Sequence, residues 1–211
     1  MLGTGVVGTT LAARLAEIGH DVTVGTRSPE ATAAKEDYAT WQAANPAVGL
    51  ATFAGASAGA ELVLNATSGQ NALEVLGQAG DLDGVVVLDL SNALDFSGGF
   101  PPVLAVAQDD SIAEQIQRAH PGARVVKSLN TLNVSMMAHP ERLPEPGTVF
   151  VSGDDAEAKA TVTSLLHELG HTDVIDLGDV TTARGVEWMM PVWLRLMGAL
   201  GTAEFNWKVV R

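Results

Sequence analysis

A glycine-rich run near the start of the chain has the spacing of a phosphate-binding loop. The pattern G-x-G-x-x-G, with a helical pattern directly behind it, is met by Gly3-Thr4-Gly5-Val6-Val7-Gly8. The first glycine permits a tight turn, the second lets backbone approach a pyrophosphate, and the third lets the helix pack on a strand. Free N–H groups at the helix start can bind the anion. Glycine is common here, with 22 residues, but the strand pattern that follows at residues 21–24 supports a dinucleotide site.

The end of that next strand pattern indicates which dinucleotide would bind. An NAD site places Asp or Glu about 20 residues beyond the glycine loop, where it accepts the ribose 2′-OH. This chain has Gly25-Thr26-Arg27-Ser28 there, and the first carboxylate is Glu30. Hydroxyls and a guanidinium are donors suited to a 2′-phosphate, so we predict NADP(H) as the cofactor, bound by Thr26, Arg27 and Ser28. Alternatively, Ser28 caps a helix that begins at Pro29, and both roles can hold together.

Small, neutral residues with hydrogen-bonding groups follow three further strand patterns. Open parallel sheets bind ligands beyond the carboxyl ends of their strands, so these residues are candidates for contacts with ribose, carboxamide and a flat ring. The alternative is ordinary turn chemistry at strand ends. The predicted cofactor contacts are Asn65, Ala66, Thr67, Asn92, Asn130, Thr131 and Leu132.

No side chain is placed for acid–base, nucleophilic or metal chemistry. The five histidines fall at predicted helix ends or in loops, and none has a nearby acid or nucleophile at a recognisable spacing. His167 and His171 have the i, i+4 spacing of a zinc pair, but no third ligand is evident. We therefore predict neither a catalytic side chain nor a metal.

Short apolar runs alternate with helical patterns along the chain, which predicts an α/β fold built on a doubly wound parallel sheet. We expect strands at residues 21–24, 50–53, 62–65, 85–89, 124–127, 148–151 and 172–175. Helices are expected near residues 11–18, 70–78, 111–119, 155–169 and 181–200, the last interrupted at Pro191. The proline-rich run 140–147 resembles a hinge. It divides residues 1–145, a Rossmann-type NADP-binding domain, from 146–211, a small and mainly helical domain that completes the acceptor site.

Composition narrows the classes of partner. The net charge of −13 comes from 12 basic and 25 acidic residues, and the basic residues are scattered, so we expect no binding to nucleic acid. No uninterrupted apolar run reaches the length of a membrane helix, and cysteine is absent. We therefore expect a soluble cytoplasmic protein with no membrane partner. The apolar stretch 188–200 suggests a homodimer or, equally, a domain core.

Several segments together resemble the NADPH-dependent coenzyme F420 reductase family (F420H2:NADP oxidoreductase). The resemblance covers nearly the whole chain and includes the glycine loop, the end of the second strand pattern and the C-terminal run 183–209. Its more specific parts are Lys127-Ser128-Leu129-Asn130-Thr131-Leu132 and Val151-Ser152-Gly153-Asp154-Asp155. The resemblance implies hydride transfer between NADPH and a deazaflavin, coenzyme F420. It also implies that Asn130, Thr131 and Leu132 border the nicotinamide and that the C-terminal domain covers the deazaflavin.

Such a transfer between two bound cofactors requires mostly close positioning, which agrees with the missing acid or base. Two alternatives stay open: an NADPH-dependent reductase of a flavin, imine or carbonyl compound, and a non-catalytic NADP(H)-sensing module that regulates a partner. The family has a full strand before the glycine loop, whereas only Met1 and Leu2 precede Gly3 here. We therefore also expect the physiological protein to begin several residues upstream of Met1.

Overall fold

A mostly parallel β-sheet with helices on both faces organises the chain, which a computed structural model describes over residues 1–211. The strands are β1 (Thr23–Thr26), β2 (Gly49–Thr52), β3 (Leu62–Asn65), β4 (Val86–Asp89), β5 (Leu94–Asp95), β6 (Val103–Leu104), β7 (Arg124–Ser128), β8 (Thr148–Ser152) and β9 (Asp173–Asp176). The helices are α1 (Val6–Glu17), α2 (Pro29–Ala33), α3 (Glu36–Ala44), α4 (Phe53–Ser57), α5 (Ala72–Gly77), α6 (Ile112–Ala119), α7 (Val134–Ala138), α8 (Ala156–Glu168), α9 (Ala183–Trp188) and α10 (Met190–Leu200). None of these helices has both the length and the apolar character needed to cross a bilayer.

Leu2 joins two groups of strands into one sheet. The pair β2-β1 lies on one side and the series β3-β4-β7-β8-β9 on the other, and Leu2 forms parallel bridges to Gly25 and Asn65. Its N–H donates to the Leu64 carbonyl at 2.8 Å, and the Gly25 N–H donates to the Met1 carbonyl at 2.7 Å. The glycine loop therefore leaves the sheet at its centre, between β1 and β3.

Two apolar cores cover the two faces of this sheet. Along β4, Leu88 belongs to the core formed with α1, α7 and α8, while its neighbour Val87 belongs to the core formed with α5 and α6. Val126 and Val125 of β7 divide in the same way. Successive side chains of a strand point to opposite faces, so both faces are covered. This confirms the predicted α/β doubly wound fold.

The seven predicted strands are all present, with ends displaced by no more than two residues. The short helices α3, α4 and α7 were not anticipated, because an element of five to nine residues gives little helical periodicity. Helix α2 does begin at Pro29 behind a Ser28 cap. The predicted interruption at Pro191 is also confirmed, since α9 ends at Trp188 and proline occupies the first turn of α10.

Strand β8 is antiparallel to β7, where the sequence predicted parallel pairing throughout. Only Ser128 and Lys127 of β7 pair with it, opposite Val151 and Ser152. Thr148 and the rest of β8 therefore extend past the carboxyl end of β7. The reason is the connection, because the short helix α7 does not carry the chain back across the sheet as a full crossover helix would.

The division into residues 1–145 and 146–211 stays a prediction. Its boundary lies in the loop before β8, and the residues beyond it supply β8 and β9 as well as α8, α9 and α10. The last residues return to β8, where the Thr148 N–H donates to the Trp207 carbonyl at 2.8 Å. The loop 96–102 forms the tip of a hairpin between β5 and β6, with Phe96 and Phe100 exposed.

His171 gives the core between α7 and α8 a dependence on pH. The ring is buried, and its Nε2 lies 3.0 Å from the Met137 carbonyl. A carbonyl only accepts, so Nε2 carries the proton, while Nδ1 is buried without a partner. Burial lowers the pKa of His171 below its ordinary value of 6.5. The folded state therefore favours the neutral ring, and this contribution to stability is present above about pH 6.5 and lost as the pH falls.

We predict that replacing His171 with Gln reduces the loss of stability on acidification. In the wild type, His171 should steepen the free energy of unfolding against pH by up to about 1.4 kcal/mol per unit below about pH 6.5. Urea titrations from about pH 7.5 to about pH 5 would measure the slopes. Parallel curves for wild type and His171→Gln would contradict the prediction.

Candidate functional site

The glycine loop is shaped by contacts that leave no room for side chains at two of its three glycines. Gly3 has φ +114°, and a Cβ there would lie 2.9 Å from the Ala66 carbonyl oxygen. A Cβ at Gly8 would overlap the Gly3 carbonyl oxygen. These contacts hold the loop tightly between β3 and α1, as the predicted functions of the first and third glycines require.

Gly5 faces open space instead. It caps α1 with φ −77° and ψ 179°, no side chain caps the helix, and its first turn holds no acidic residue. A Cβ at Gly5 would meet no protein atom within 4 Å. The first N–H groups of a helix have no carbonyl partner within it, so this end offers donors and a positive dipole to an anion. The open space at this helix start can accommodate a pyrophosphate.

Thr26, the last residue of β1, and the two residues after it have different surroundings. Arg27 is 70% exposed, and its Nη2 lies 3.0 Å from Oε1 of Glu74. Ser28 Oγ accepts a hydrogen bond from the Ala31 N–H at the start of α2. The Thr26 hydroxyl is buried and lies 2.8 Å from the Thr32 hydroxyl. Arg27 therefore presents its polar group to solvent, Ser28 is partly exposed, and Thr26 shapes the turn.

Asn65, the last residue of β3, and the two residues after it lie beside the glycine loop and support it. Asn65 is fully buried, and its Oδ1 accepts from the Thr67 hydroxyl at 2.6 Å while its Nδ2 donates to Asp89 at 2.8 Å. Ala66 donates its N–H to the Leu2 carbonyl. The Asn65 amide is thus committed within the protein, whereas Ala66 and Thr67 are partly exposed beside Gly3.

Asn92 and Asn130 connect the ends of β4 and β7. Nδ2 of Asn92 donates to the Asn130 carbonyl at 2.8 Å, and Nδ2 of Asn130 donates to Oδ1 of Asn92 at 3.0 Å. Asn130 also donates to the Val186 carbonyl of α9 at 3.1 Å. Thr131 and Leu132 follow in buried positions. One side chain therefore ties two strand ends to the C-terminal segment.

Leu129 turns the chain sharply before Asn130. It has φ +60°, and the Asn130 N–H donates to the Ser128 carbonyl at 2.8 Å. Of the residues with positive φ, Leu129 is the one that is not glycine. The left-handed region costs a non-glycine residue roughly 1–2 kcal/mol, and such strain persists only where surrounding structure enforces it. The turn is held by the burial of Leu129 and by the bonds of Asn130.

Beneath these strand ends lies a fully buried ionic cluster of Asp89, Lys127 and Glu187. Nζ of Lys127 lies 2.7 Å from Asp89 Oδ2 and 2.9 Å from Glu187 Oε1, and it also donates to the Ser91 carbonyl. All three side chains have no exposed surface. Glu187 further accepts from the Ile112 N–H at 3.0 Å. The cluster thus joins β4, β7, α6 and α9 at one point.

The cluster is stable because each charge has several partners. Burial alone would lower the pKa of Lys127, but the charges of Asp89 and Glu187 outweigh it and raise the pKa above its ordinary value. Two carboxylates against one ammonium leave an excess negative charge. The N-terminus of α6, whose Ile112 N–H faces Glu187, offsets that charge with its dipole.

The structure gathers the predicted site residues along one edge of the sheet, where β1, β3, β4 and β7 end beside the glycine loop. Their contacts with a cofactor stay predictions. The ionic cluster and Glu74 were missed. Asp89 and Lys127 did carry a signal, because charged residues at the ends of otherwise apolar parallel strands must find partners. Glu187 carried none, since its helix is distant in sequence.

Comparison with protein families gives one match. The model of the family described as NADP oxidoreductase, coenzyme F420-dependent, matches residues 1–93. That span contains the glycine loop, Arg27, the end of β3 and Asn92, whereas Asn130 lies outside it.

Three individual proteins show similarity over most of the chain. A crystal structure of a candidate F420-dependent NADP reductase from Arthrobacter sp. FB24 has 55% identity and a TM-score of 0.97, covering 100% of this chain and 97% of that one. F420-dependent NADP reductase from Methanocaldococcus jannaschii is 26% identical over 92% of this chain and 89% of its own. Metalloreductase STEAP3 from Rattus norvegicus is 27% identical over 93% of this chain, which spans 38% of that protein's length.

We predict that replacing Lys127 with Met destabilises the protein by about 3–5 kcal/mol, because Asp89 and Glu187 then stay buried without a cation. Adding Glu187→Gln to this variant should recover part of the loss by removing one of the two unpaired charges. Urea denaturation followed by circular dichroism would measure both variants. A loss below about 1 kcal/mol for Lys127→Met would show that the cluster contributes little.

Proposed function

The chain belongs to the family of coenzyme F420-dependent NADP oxidoreductases, and we propose that its active site is the edge of the sheet between Arg27 and Asn130. Membership makes it an NADP-dependent oxidoreductase, with NADP(H) and coenzyme F420 as the reacting pair. Bound NADPH would supply the hydride and the deazaflavin would receive it, or the reverse. The placement of both along this edge is our proposal.

The open space at Gly5, over the start of α1, is the observation that carries the placement of NADP(H). Gly3 and Gly8 fix the loop, and Gly5 leaves space above the free N–H groups of α1. Thr4, Val6 and Val7 complete the loop around that space, and Val6 is 71% exposed. In this arrangement the backbone of residues 3–8 binds the pyrophosphate, with no lysine or metal needed.

The groups behind β1 support recognition of the phosphorylated dinucleotide. Arg27 can offer a charge-assisted pair of N–H donors to a 2′-phosphate. No carboxylate stands between Gly25 and Ser28 to accept a ribose 2′-OH. Ser28 can contribute its hydroxyl while it caps α2, and Thr26 holds the turn through Thr32.

The ends of β4 and β7 suit the nicotinamide and the acceptor. Asn92 and Asn130 fix each other and the backbone of α9, so these loops form a rigid floor. Thr131 and Leu132 continue this floor, and α9 stands beside it. Residues 146–211 would then cover the deazaflavin from the C-terminal side, excluding water from the space between the rings.

Positioning is the chemical task that this site can perform. His20 and His139 pair with exposed glutamates, and His167 and His171 contact backbone carbonyls, which supports a reaction that uses none of these four rings. A hydride moves as hydrogen with its electron pair, and its transfer depends on the approach and alignment of the two rings. The rigid floor at Asn92 and Asn130 provides that alignment.

An assay of NADPH oxidation tests this function against its alternatives. We expect oxidation with a deazaflavin acceptor, and no comparable rate with a flavin or a cyclic imine. Oxidation with flavin or imine alone would favour the reductase of another acceptor. Binding of NADPH without oxidation by any acceptor would favour a sensing module.

The cellular and oligomeric assignments are further parts of the proposal. We infer a cytoplasmic location, consistent with a chain that reacts with two small molecules. A homodimer is supported by exposed apolar side chains on the C-terminal helices, with Val192 and Leu200 54% and 57% exposed on α10. Light scattering coupled to gel filtration would give the mass of the particle and decide between monomer and dimer.

Substitutions in the glycine loop should separate binding from folding. Gly5→Ala places a methyl group in the open space at the start of α1, at an allowed backbone conformation, so we expect unchanged stability and at least about tenfold weaker NADPH binding. Gly8→Ala should instead destabilise the fold by about 1–3 kcal/mol through overlap with Gly3. Thermal unfolding and cofactor titration of both variants would measure the split. Wild-type affinity in Gly5→Ala would place the pyrophosphate elsewhere.

Arg27 should determine the preference for NADPH over NADH. We expect NADPH to bind at least about tenfold more tightly, and Arg27→Ala to weaken NADPH by roughly 1.5–3 kcal/mol, the scale of a charged hydrogen bond. NADH binding should change little, because it lacks the 2′-phosphate. Titrating both cofactors would test this, with Arg195→Ala, at an exposed position on α10, as the control. Equal losses for both cofactors would remove Arg27 from the 2′-phosphate site.

A further inference from the structure

Arg27, the residue proposed to bind the 2′-phosphate, already has an anionic partner. Its Nη2 lies 3.0 Å from Oε1 of Glu74, on α5. The same oxygen accepts from Nε2 of Gln78 at 3.3 Å. Arg27 and Glu74 are 70% and 56% exposed, so the pair belongs to the surface of the site and not to the core of the fold.

The position of the pair matters because of the strand order. Arg27 follows β1, and α5 follows β3 through the turn at Gly69–Asn71. The backbone of Leu2 lies between those strands and continues into the glycine loop. The ion pair therefore connects elements on either side of Leu2, the residue from which the chain enters the glycine loop. A dinucleotide whose pyrophosphate sits on Gly5 and whose 2′-phosphate reaches Arg27 must pass beside it.

We propose that Glu74 determines the specificity of the site by competing with the 2′-phosphate for Arg27, so that it lowers the affinity for NADP(H) but not for NAD(H). The inference rests on the proposed function, because it assigns the 2′-phosphate to Arg27. An exposed ion pair is weak enough to be exchanged for another anion. A phosphate on Arg27 would also be repelled by the Glu74 carboxylate that stands 3.0 Å from the same guanidinium.

The competition affects the binding of NADP(H) but not the binding of NAD(H). NADP(H) must either displace Glu74 or share Arg27 with it, and both possibilities cost binding free energy. NAD(H) presents no phosphate at this position, so the pair between Arg27 and Glu74 stays intact when it binds. Removal of the Glu74 charge should consequently increase the preference for the phosphorylated cofactor.

The experiment is a calorimetric titration of NADPH and NADH against the full-length protein and its variants. Glu74→Gln keeps an acceptor for Gln78 and removes the charge. We expect NADPH to bind about threefold to tenfold more tightly to this variant, with NADH changed by less than about twofold. The NADPH gain should shrink at high ionic strength, because salt screens exposed charges.

Two further variants serve as matched controls. Glu61→Gln removes the same charge from an exposed residue at the opposite end of β3, and it should leave both affinities unchanged. In an Arg27→Ala background, Glu74→Gln should give less than half of its NADPH gain, because the competition acts through Arg27. Melting temperatures of all variants should agree with the wild type, since both side chains of the pair are exposed.

Each remaining outcome would overturn the proposal. An unchanged or weaker NADPH affinity in Glu74→Gln, an equal gain for NADH, the same gain in Glu61→Gln, or a full gain without Arg27 would each exclude competition by Glu74. If Arg27→Ala weakens NADPH while Glu74→Gln does not strengthen it, the inference alone fails. If Arg27→Ala leaves NADPH binding unchanged, the proposed cofactor placement fails and the inference fails with it.

Discussion

The buried ammonium group of Lys127 contacts Asp89 on β4 and Glu187 on α9. None of the three side chains has exposed surface, so water cannot solvate these charges. A buried charge that loses its partner costs several kcal/mol, so the C-terminal segment must pack where Glu187 reaches Lys127. The same Glu187 bonds the first N–H of α6. This single requirement fixes β4, β7, α6 and α9 relative to one another. The loops that follow the two strands are positioned as a result. Asn130 lies in one of these loops, and its side chain donates to Asn92 and to the Val186 carbonyl.

The site therefore combines a rigid part with an adjustable part. At the ends of β4 and β7, paired amides and the strained turn at Leu129 leave little freedom, which suits the alignment of two rings. At the end of β1, Arg27 is exposed and paired only with an exposed glutamate, so it can exchange partners at low cost. In the function we propose, reactivity depends on the first part and selection of the cofactor on the second. The two parts lie on opposite sides of the strand position from which the glycine loop leaves.

Local signals in the sequence were sufficient for the parallel strands and the glycine loop. Buried strands of a doubly wound sheet are apolar on both faces, and runs such as residues 85–89 show this directly. Gly3, Gly5 and Gly8 are set by backbone requirements within one turn, so their spacing carries the information. The antiparallel pairing of β8 gave no such signal, because the direction of a strand depends on how the connecting chain packs. The helices α3, α4 and α7 were missed since each is too short to display a period.

By itself, the sequence determined the family, the doubly wound sheet, the position of the glycine loop and the absence of a carboxylate behind β1. These properties depend on residue types within a few positions of each other, where chain geometry is already known. Only the tertiary structure decided which polar groups stay available. It buried the Thr26 hydroxyl against Thr32 and the Asn65 amide against Asp89, and it placed Glu74 on Arg27 and Glu187 on Lys127. Those partners lie 47 and 60 residues apart in the chain, and pairings at such separations follow from the packing of elements, which no local pattern encodes.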